Sequence, residues 1–197
     1  MKSIVLAVFI FVLTFTSIAQ TDTIYWKANQ KLSWADFRGS ITDSAYNAVS
    51  VTEIKPIIYC INQTYILKSE CYFLANESYK KSDWMNDVYW YKYGLEHEQI
   101  HFNIDQHFTL IFDSIVNSTF LSLTKIEDYR NKTDSIFRKI KHDADLCQSK
   151  YDKETVYGLN QGRQQEWKKI VDDRILYLLE FNKKWYINIH ERTPKIK

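Results

Sequence analysis

A long run of apolar residues at helical spacing constrains the fold of this chain more than any other feature. Between residues 88 and 115 the apolar positions recur at intervals of three and four, which is the period of one face of an α-helix. That inward stripe also contains two histidines. Its members are His97, Ile100, His101, Ile104, Phe108, Ile111 and Ile115. We therefore predict a long helix whose buried face carries two imidazoles.

The two histidines belong to the sequence His97-Glu98-Gln99-Ile100-His101, which has the form HExxH. Residues four apart on a helix project from the same side, so both imidazoles can bind one metal ion. Glu98 lies on the shoulder of the stripe, where its carboxylate can accept a proton from an attacking water. The pattern predicts a Zn²⁺ site with Glu98 as the catalytic base. The alternative is a pair of core histidines satisfied by carbonyl groups, which would require a separate partner for each ring.

Catalytic zinc usually has three protein ligands, so HExxH leaves one ligand to be found. His107 follows His97 at the spacing of the metzincin third histidine, but Ile104 stands where that pattern requires glycine. On a continuous helix His107 would also point away from His101. A downstream carboxylate is the second possibility, and spacing does not choose among five of them: Glu127, Asp143, Asp145, Asp152 and Glu154.

The third possibility, Tyr157, comes from a resemblance. Several blocks resemble a family of secreted bacterial proteins of unknown function that are regarded as zinc-dependent peptidases. In that family the downstream block has the form Tyr-Asp-x-x-Thr-x-His-Gly, and its histidine is a natural third ligand. Tyr157 occupies the matching position here, so the resemblance implies a tyrosine ligand; otherwise another group completes the shell, or metal binds weakly and catalysis is lost. The matching residues are Trp34, Phe37, Gly39, Trp84, the block 95–104, the block 151–158 and Trp167.

The N-terminus has the pattern of a secretory signal. Lys2 precedes an apolar run from Ile4 to Phe15, and small residues lead to Ala19. We predict a signal peptide at 1–19, a single zincin-like domain at 20–197, and export to the periplasm or beyond. The run is too short for a stable membrane span. The formal net charge is only +2, with no basic cluster, so nucleic acid is not an expected partner.

The remaining patterns predict an α+β fold. Residues 45–75 contain β-rich runs that predict a small antiparallel sheet, with Pro56 at an edge or bend. A capping box at Thr124 and Glu127 predicts the start of a second helix, and apolar spacing from 164 to 185 predicts a third. In an oxidising compartment Cys60 and Cys71 could form a disulfide. Cys147 would remain, as a buried apolar residue.

Together these patterns predict an exported zinc-dependent hydrolase. A metallopeptidase acting on a peptide or protein substrate fits the HExxH helix best. A relative that binds metal or a partner without catalysis is the alternative, because Tyr157 departs from the family's histidine.

Overall fold

The computed structural model describes residues 22–40, 45–61, 64–119 and 126–192. The predicted signal peptide lies outside these ranges, as does the cap expected at Thr124.

Three long helices follow the small strands, which confirms the predicted α+β class. Helix α1 spans Val88–Thr119, α2 spans Ile126–Thr155 and α3 spans Gln161–Arg192. Helices α1 and α3 extend beyond the predicted 88–115 and 164–185, and for α2 only the start was predicted. The spacing of apolar residues marks which face is buried and does not mark where the backbone hydrogen bonds end. Apolar period locates the buried face of a helix more accurately than it locates the ends.

The strands form three small antiparallel units. Strand β6 is the centre of the first, with β1 and β3 on either side, whereas β2 pairs with β7 and β4 pairs with β5. Pro56 falls between β3 and β4, at a bend as expected, because proline cannot donate a ladder hydrogen bond. The strands are Thr23–Tyr25 (β1), Ala48–Val49 (β2), Thr52–Lys55 (β3), Ile58–Ile61 (β4), Thr64–Leu67 (β5), Glu70–Leu74 (β6) and Tyr79–Lys80 (β7).

Helix α1 is the element that the rest of the fold packs around. One apolar cluster joins Phe102 of α1 to the N-terminal segment and to β6, through Trp34 and Phe73. A second joins α1 to α2 and α3 through Ile104, Tyr151 and Trp167. Because the strand β6 and the helices α2 and α3 pack against different faces of α1, its two histidines lie between packed elements of the fold.

The cysteines are free. Cys60 lies on β4, opposite Tyr65 of β5, whereas Cys71 lies on β6, opposite Ile54 of β3. The disulfide considered from sequence is therefore absent, because the two residues belong to separate strand pairs. None of the helices in the described ranges combines the length and apolar character that a bilayer crossing requires.

Candidate metal centre

His97 and His101 meet on the buried face of α1, as their spacing predicts. Their Nε2 atoms lie 3.2 Å apart, and the two rings are nearly perpendicular, with centroids 4.7 Å apart. Four residues advance a helix by slightly more than one turn, which places the two side chains one above the other. Two imidazole nitrogens are thus directed at the same point.

Asp152 of α2 completes a triangle with the two histidines. Its Oδ1 lies 3.1 Å from Nε2 of His97 and 3.0 Å from Nε2 of His101. The three side chains form a group that could hold a metal ion. Asp152 is one of the five carboxylates that sequence alone could not separate.

The size of this triangle fits a small divalent cation. Zinc binds nitrogen and oxygen ligands at about 2.0–2.2 Å in tetrahedral geometry, so adjacent ligand atoms should lie about 3.3–3.5 Å apart. The observed edges of 3.0, 3.1 and 3.2 Å come within a few tenths of an ångström of that value. Two imidazoles and one carboxylate are also a ligand set found in catalytic zinc sites. The donor chemistry and the spacing therefore both suit the predicted ion.

Aromatic packing fixes the planes of both imidazoles. The ring of Tyr151 stacks on His97, with centroids 4.7 Å apart and planes 22° apart, and meets the ring of His101 edge to face at 4.9 Å. Tyr151 is fully buried and is in turn packed against Trp167 of α3. Because Tyr151 precedes Asp152 directly, one turn of α2 supplies both the carboxylate and the wall behind the rings.

The outer nitrogens of the two imidazoles have different surroundings. Nδ1 of His101 lies 2.6 Å from Oε1 of Gln148, on α2. Nδ1 of His97 is buried and has no hydrogen-bond partner among the described residues. The backbone of Gly158 lies beside it, so close that a Cβ added to this glycine would stand 3.5 Å from that nitrogen. Of these two outer nitrogens, only Nδ1 of His101 has a side-chain hydrogen-bond partner among the described residues.

The charges of the triangle stabilise one another. Burial disfavours ionisation of Asp152, but hydrogen bonds from His101 and His97 outweigh it and hold the pKa of this carboxyl well below its usual range. Burial likewise opposes protonation of His101, but Asp152 and the nearby Glu98 raise its pKa to about 9. The ionised carboxylate of Asp152 therefore already stabilises one positive charge, the proton it shares with His101, and a metal ion that displaced this proton would meet the same carboxylate.

Glu98 is buried rather than solvated, with 6% of its surface exposed. The hydroxyl of Ser50 donates a hydrogen bond of 2.6 Å to its Oε2. Ser50 follows β2 directly, so the sheet side of the fold holds the glutamate of the HExxH sequence in place. Glu98 and both histidines line the same cavity. The structure thus places the predicted base beside the predicted ligands.

A cleft of about 800 Å³ lies over this group. Residues 45–52 form one wall, which includes the two-residue strand β2, and α1 and α2 form the opposite side. Four polar residues of α2 at intervals of four, three and four face the cleft: Lys141, Asp145, Gln148 and Asp152. This polar stripe beside the apolar stripe of α2 is a sequence signal that could have narrowed the five candidate carboxylates to Asp145 and Asp152.

His107 is not part of the metal group. It is buried, its ring packs edge to face on Phe108 at 5.1 Å, and burial together with Arg174 lowers its pKa to about 4. As the helical geometry predicted, it is a neutral core histidine. Among the other carboxylates, Glu154 is paired with Arg163 and accepts a hydrogen bond of 2.8 Å from Trp167.

Tyr157 borders the cleft, beyond the end of α2. Its side chain is 52% exposed, and its ring packs against Tyr46 with centroids 6.1 Å apart. Its role as a ligand, which the resemblance implies, stays a prediction. The structure brings Asp152, rather than a residue of this turn, into direct contact with both histidines.

The turn after α2 has an unusual backbone. Val156 and Tyr157 both have φ of 52°, and Gly158 has φ of 87°. A β-branched residue in this left-handed region is an outlier that its surroundings must stabilise. Here the Tyr157 N–H donates to the carbonyl of Asp152 at 2.8 Å and the Asn160 N–H to that of Thr155 at 2.7 Å. The strained residues reverse the chain beside His97.

Comparison of the chain with protein families, with curated proteins and with solved structures finds no match. The geometry of the site is therefore the basis for assigning a function.

Proposed function

We propose that this protein is an exported zinc-dependent hydrolase, and that it acts as a metallopeptidase. The observation that carries the proposal is the triangle of His97, His101 and Asp152, with edges of 3.0 to 3.2 Å at the floor of an open cleft. Glu98 adds the buried carboxylate that hydrolysis requires. Export is proposed from the N-terminal sequence alone.

Each residue has a distinct part in the proposed reaction. His97, His101 and Asp152 would hold Zn²⁺, which when bound acts as a Lewis acid on the scissile carbonyl and lowers the pKa of water. Glu98 would accept a proton from the attacking water and then return it to the leaving amine. The Ser50 hydroxyl, 2.6 Å from Glu98, would keep that carboxylate directed into the cleft.

A peptide is the substrate that the shape of the cleft favours. The wall formed by residues 45–52 contains the short strand β2. An extended chain can bind along exposed strand backbone through main-chain hydrogen bonds, which do not depend on its sequence. The cleft's polar stripe would supply contacts to substrate side chains.

The experiment combines metal content with one matched pair of variants. Protein purified without chelator should contain one zinc per chain, and it should cleave members of a broad peptide library. Glu98→Gln should retain zinc but lose activity by about 10²- to 10⁴-fold, because it removes the base alone. Glu96→Gln is the control, since Glu96 contacts Gln165 of α3. It should cleave like the wild type.

Two results would overturn this proposal. Peptide cleavage that survives Glu98→Gln would refute the mechanism. Stoichiometric zinc without cleavage of any peptide would instead favour a metal-binding relative that has lost catalysis.

A further inference from the structure

We propose that Gln148 is a positioning residue that holds a proton on Nδ1 of His101 and so leaves Nε2 free to bind the metal. The inference rests on the proposed function in that it takes the triangle to be a metal site. It concerns a residue outside the HExxH sequence, which lies on α2, 47 positions after His101.

The orientation of the Gln148 amide follows from its neighbours. Its Nε2 lies 3.0 Å from the backbone carbonyl oxygen of His101 and 3.1 Å from Oδ1 of Asp105. A carbonyl oxygen can only accept, so the NH₂ end of the amide must face it. The carbonyl end of the amide, Oε1, must then face the ring of His101.

That orientation determines the proton on His101. Oε1 of Gln148 lies 2.6 Å from Nδ1 of the ring, and an amide oxygen cannot donate. Nδ1 must therefore carry the hydrogen. A neutral imidazole has one N–H, so once a metal displaces the hydrogen that Nε2 of His101 otherwise shares with Asp152, this atom has a free lone pair directed at Asp152 and His97.

A second residue pair keeps the amide from turning over. Asp105 of α1 accepts from Gln148 through Oδ1 and from the hydroxyl of Thr52, on β3, through Oδ2. Both hydrogens of the Gln148 amide are thus used. A flipped amide would place its oxygen against two acceptors, so the chain Thr52, Asp105, Gln148 and His101 has one consistent arrangement.

The outer nitrogen of His97 has different surroundings from that of His101. Its Nδ1 is buried with no hydrogen-bond partner among the described residues. Stacking on Tyr151 fixes the plane of the ring but does not fix its proton. The effect of Gln148 should therefore be confined to His101.

The test uses the full mature chain and two variants. Gln148→Met keeps the length of the side chain and removes the acceptor. The double variant Gln148→Glu with Asp105→Asn restores an acceptor for Nδ1 and reverses the donor and acceptor between positions 148 and 105. Ser149→Ala, at the exposed neighbouring position, is the control.

Two measurements are made. Competition with a chromophoric chelator should show zinc affinity lowered about 10- to 100-fold in Gln148→Met, the cost usual for losing an outer-shell partner. The double variant should recover part of that loss, because Nδ1 regains an acceptor while the second carboxylate oxygen at position 148 faces the backbone carbonyl of His101. Ser149→Ala should match the wild type. Long-range ¹H–¹⁵N NMR of the zinc-loaded protein should show His101 protonated at Nδ1.

The outcomes separate the two proposals. Unchanged affinity in Gln148→Met, or a zinc-loaded His101 protonated at Nε2, would overturn the role of Gln148 and leave the metal site intact. A wild-type chain that takes up no zinc would overturn the metal site. In that case Gln148 is tested in metal-free protein at neutral pH. The Nδ1 proton of His101 should exchange with water more slowly in the wild type than in Gln148→Met. Equal exchange rates in the two proteins would overturn the role of Gln148.

Discussion

Two carboxylates that contact or belong to α1, the half-buried Asp152 and the buried Asp113, have opposite electrostatic environments. Asp152 contacts the two imidazoles of the metal group, and the pKa of its carboxyl is held below the usual range. Asp113, twelve residues beyond His101 on α1, accepts hydrogen bonds of 2.9 and 3.1 Å from the backbone N–H of Ser69. Burial raises the pKa of Asp113 from 3.8 to about 7.

The difference shows what distinguishes a ligand from a structural acceptor. Both groups are removed from water, which disfavours the charged form of each. Only Asp152 has neighbours that stabilise its charge strongly enough to lower its pKa, and those neighbours are imidazoles, which could themselves bind a metal ion. The hydrogen bonds of Asp113 link α1 to Ser69, directly before β6. An uncharged carboxyl or an amide could accept them equally well.

The largest expected effect is on zinc affinity. Asp152→Asn should lower it by roughly 10²- to 10³-fold, because zinc binding of about 10–16 kcal/mol spread over four ligands gives about 3–4 kcal/mol for each. Asp113→Asn, the same substitution at the other carboxylate, should leave it unchanged. Chelator competition measures both. Equal losses in the two variants would remove the distinction between them.

The next effect is the pH dependence of stability. Folding raises the pKa of Asp113, so between its unfolded value and about 7 the folded state binds more protons than the unfolded state. The free energy of unfolding should therefore fall as the pH rises through that range, by an amount on the order of 4 kcal/mol for this group. Asp113→Asn should lack this component. Urea unfolding of zinc-loaded protein at several pH values measures it; parallel profiles for both proteins would contradict the assignment.

A smaller effect is expected at Gly158. Alanine there would have to adopt φ of 87°, which L side chains rarely do, so we expect a loss of about 1–2 kcal/mol and a lower Tm; its Cβ, 3.4 Å from Cγ of His97, would make an ordinary contact. Gly162→Ala is the matched control, because its nearest neighbouring atom would be 3.7 Å away. Thermal unfolding compares the two. A control that is as destabilised as Gly158→Ala would show that the positive φ at position 158 is not the cause.

The smallest effect concerns Tyr157. With Asp152 as the third ligand, Tyr157→Phe should change zinc affinity by less than the roughly tenfold that even an outer-shell partner contributes. The same competition assay measures it. A larger loss would make the phenol a ligand and would weaken the contrast between Asp152 and Asp113.

The spacing of residues along the sequence predicted the part of the site that lies on α1. The rest of the site depends on contacts between residues that are far apart in the sequence. The period of α1 gives the inward direction of His97 and His101, because helical spacing fixes which residues share a face. Asp152 is 51 residues beyond His101, and no local rule spans that distance. The sequence did not predict the contacts of Gln148 and Ser50 for the same reason, since each residue contacts a partner on another element.

Two residues of the segment 152–158 lie against the ring of His97 on different sides. Asp152 meets its Nε2, and the backbone of Gly158, six positions later, closes over the other side. A single inserted residue in that interval would dislodge one of the two contacts. Distant homologues should therefore be recognisable by an aspartate and a glycine kept at this separation downstream of HExxH, whatever residue precedes the glycine.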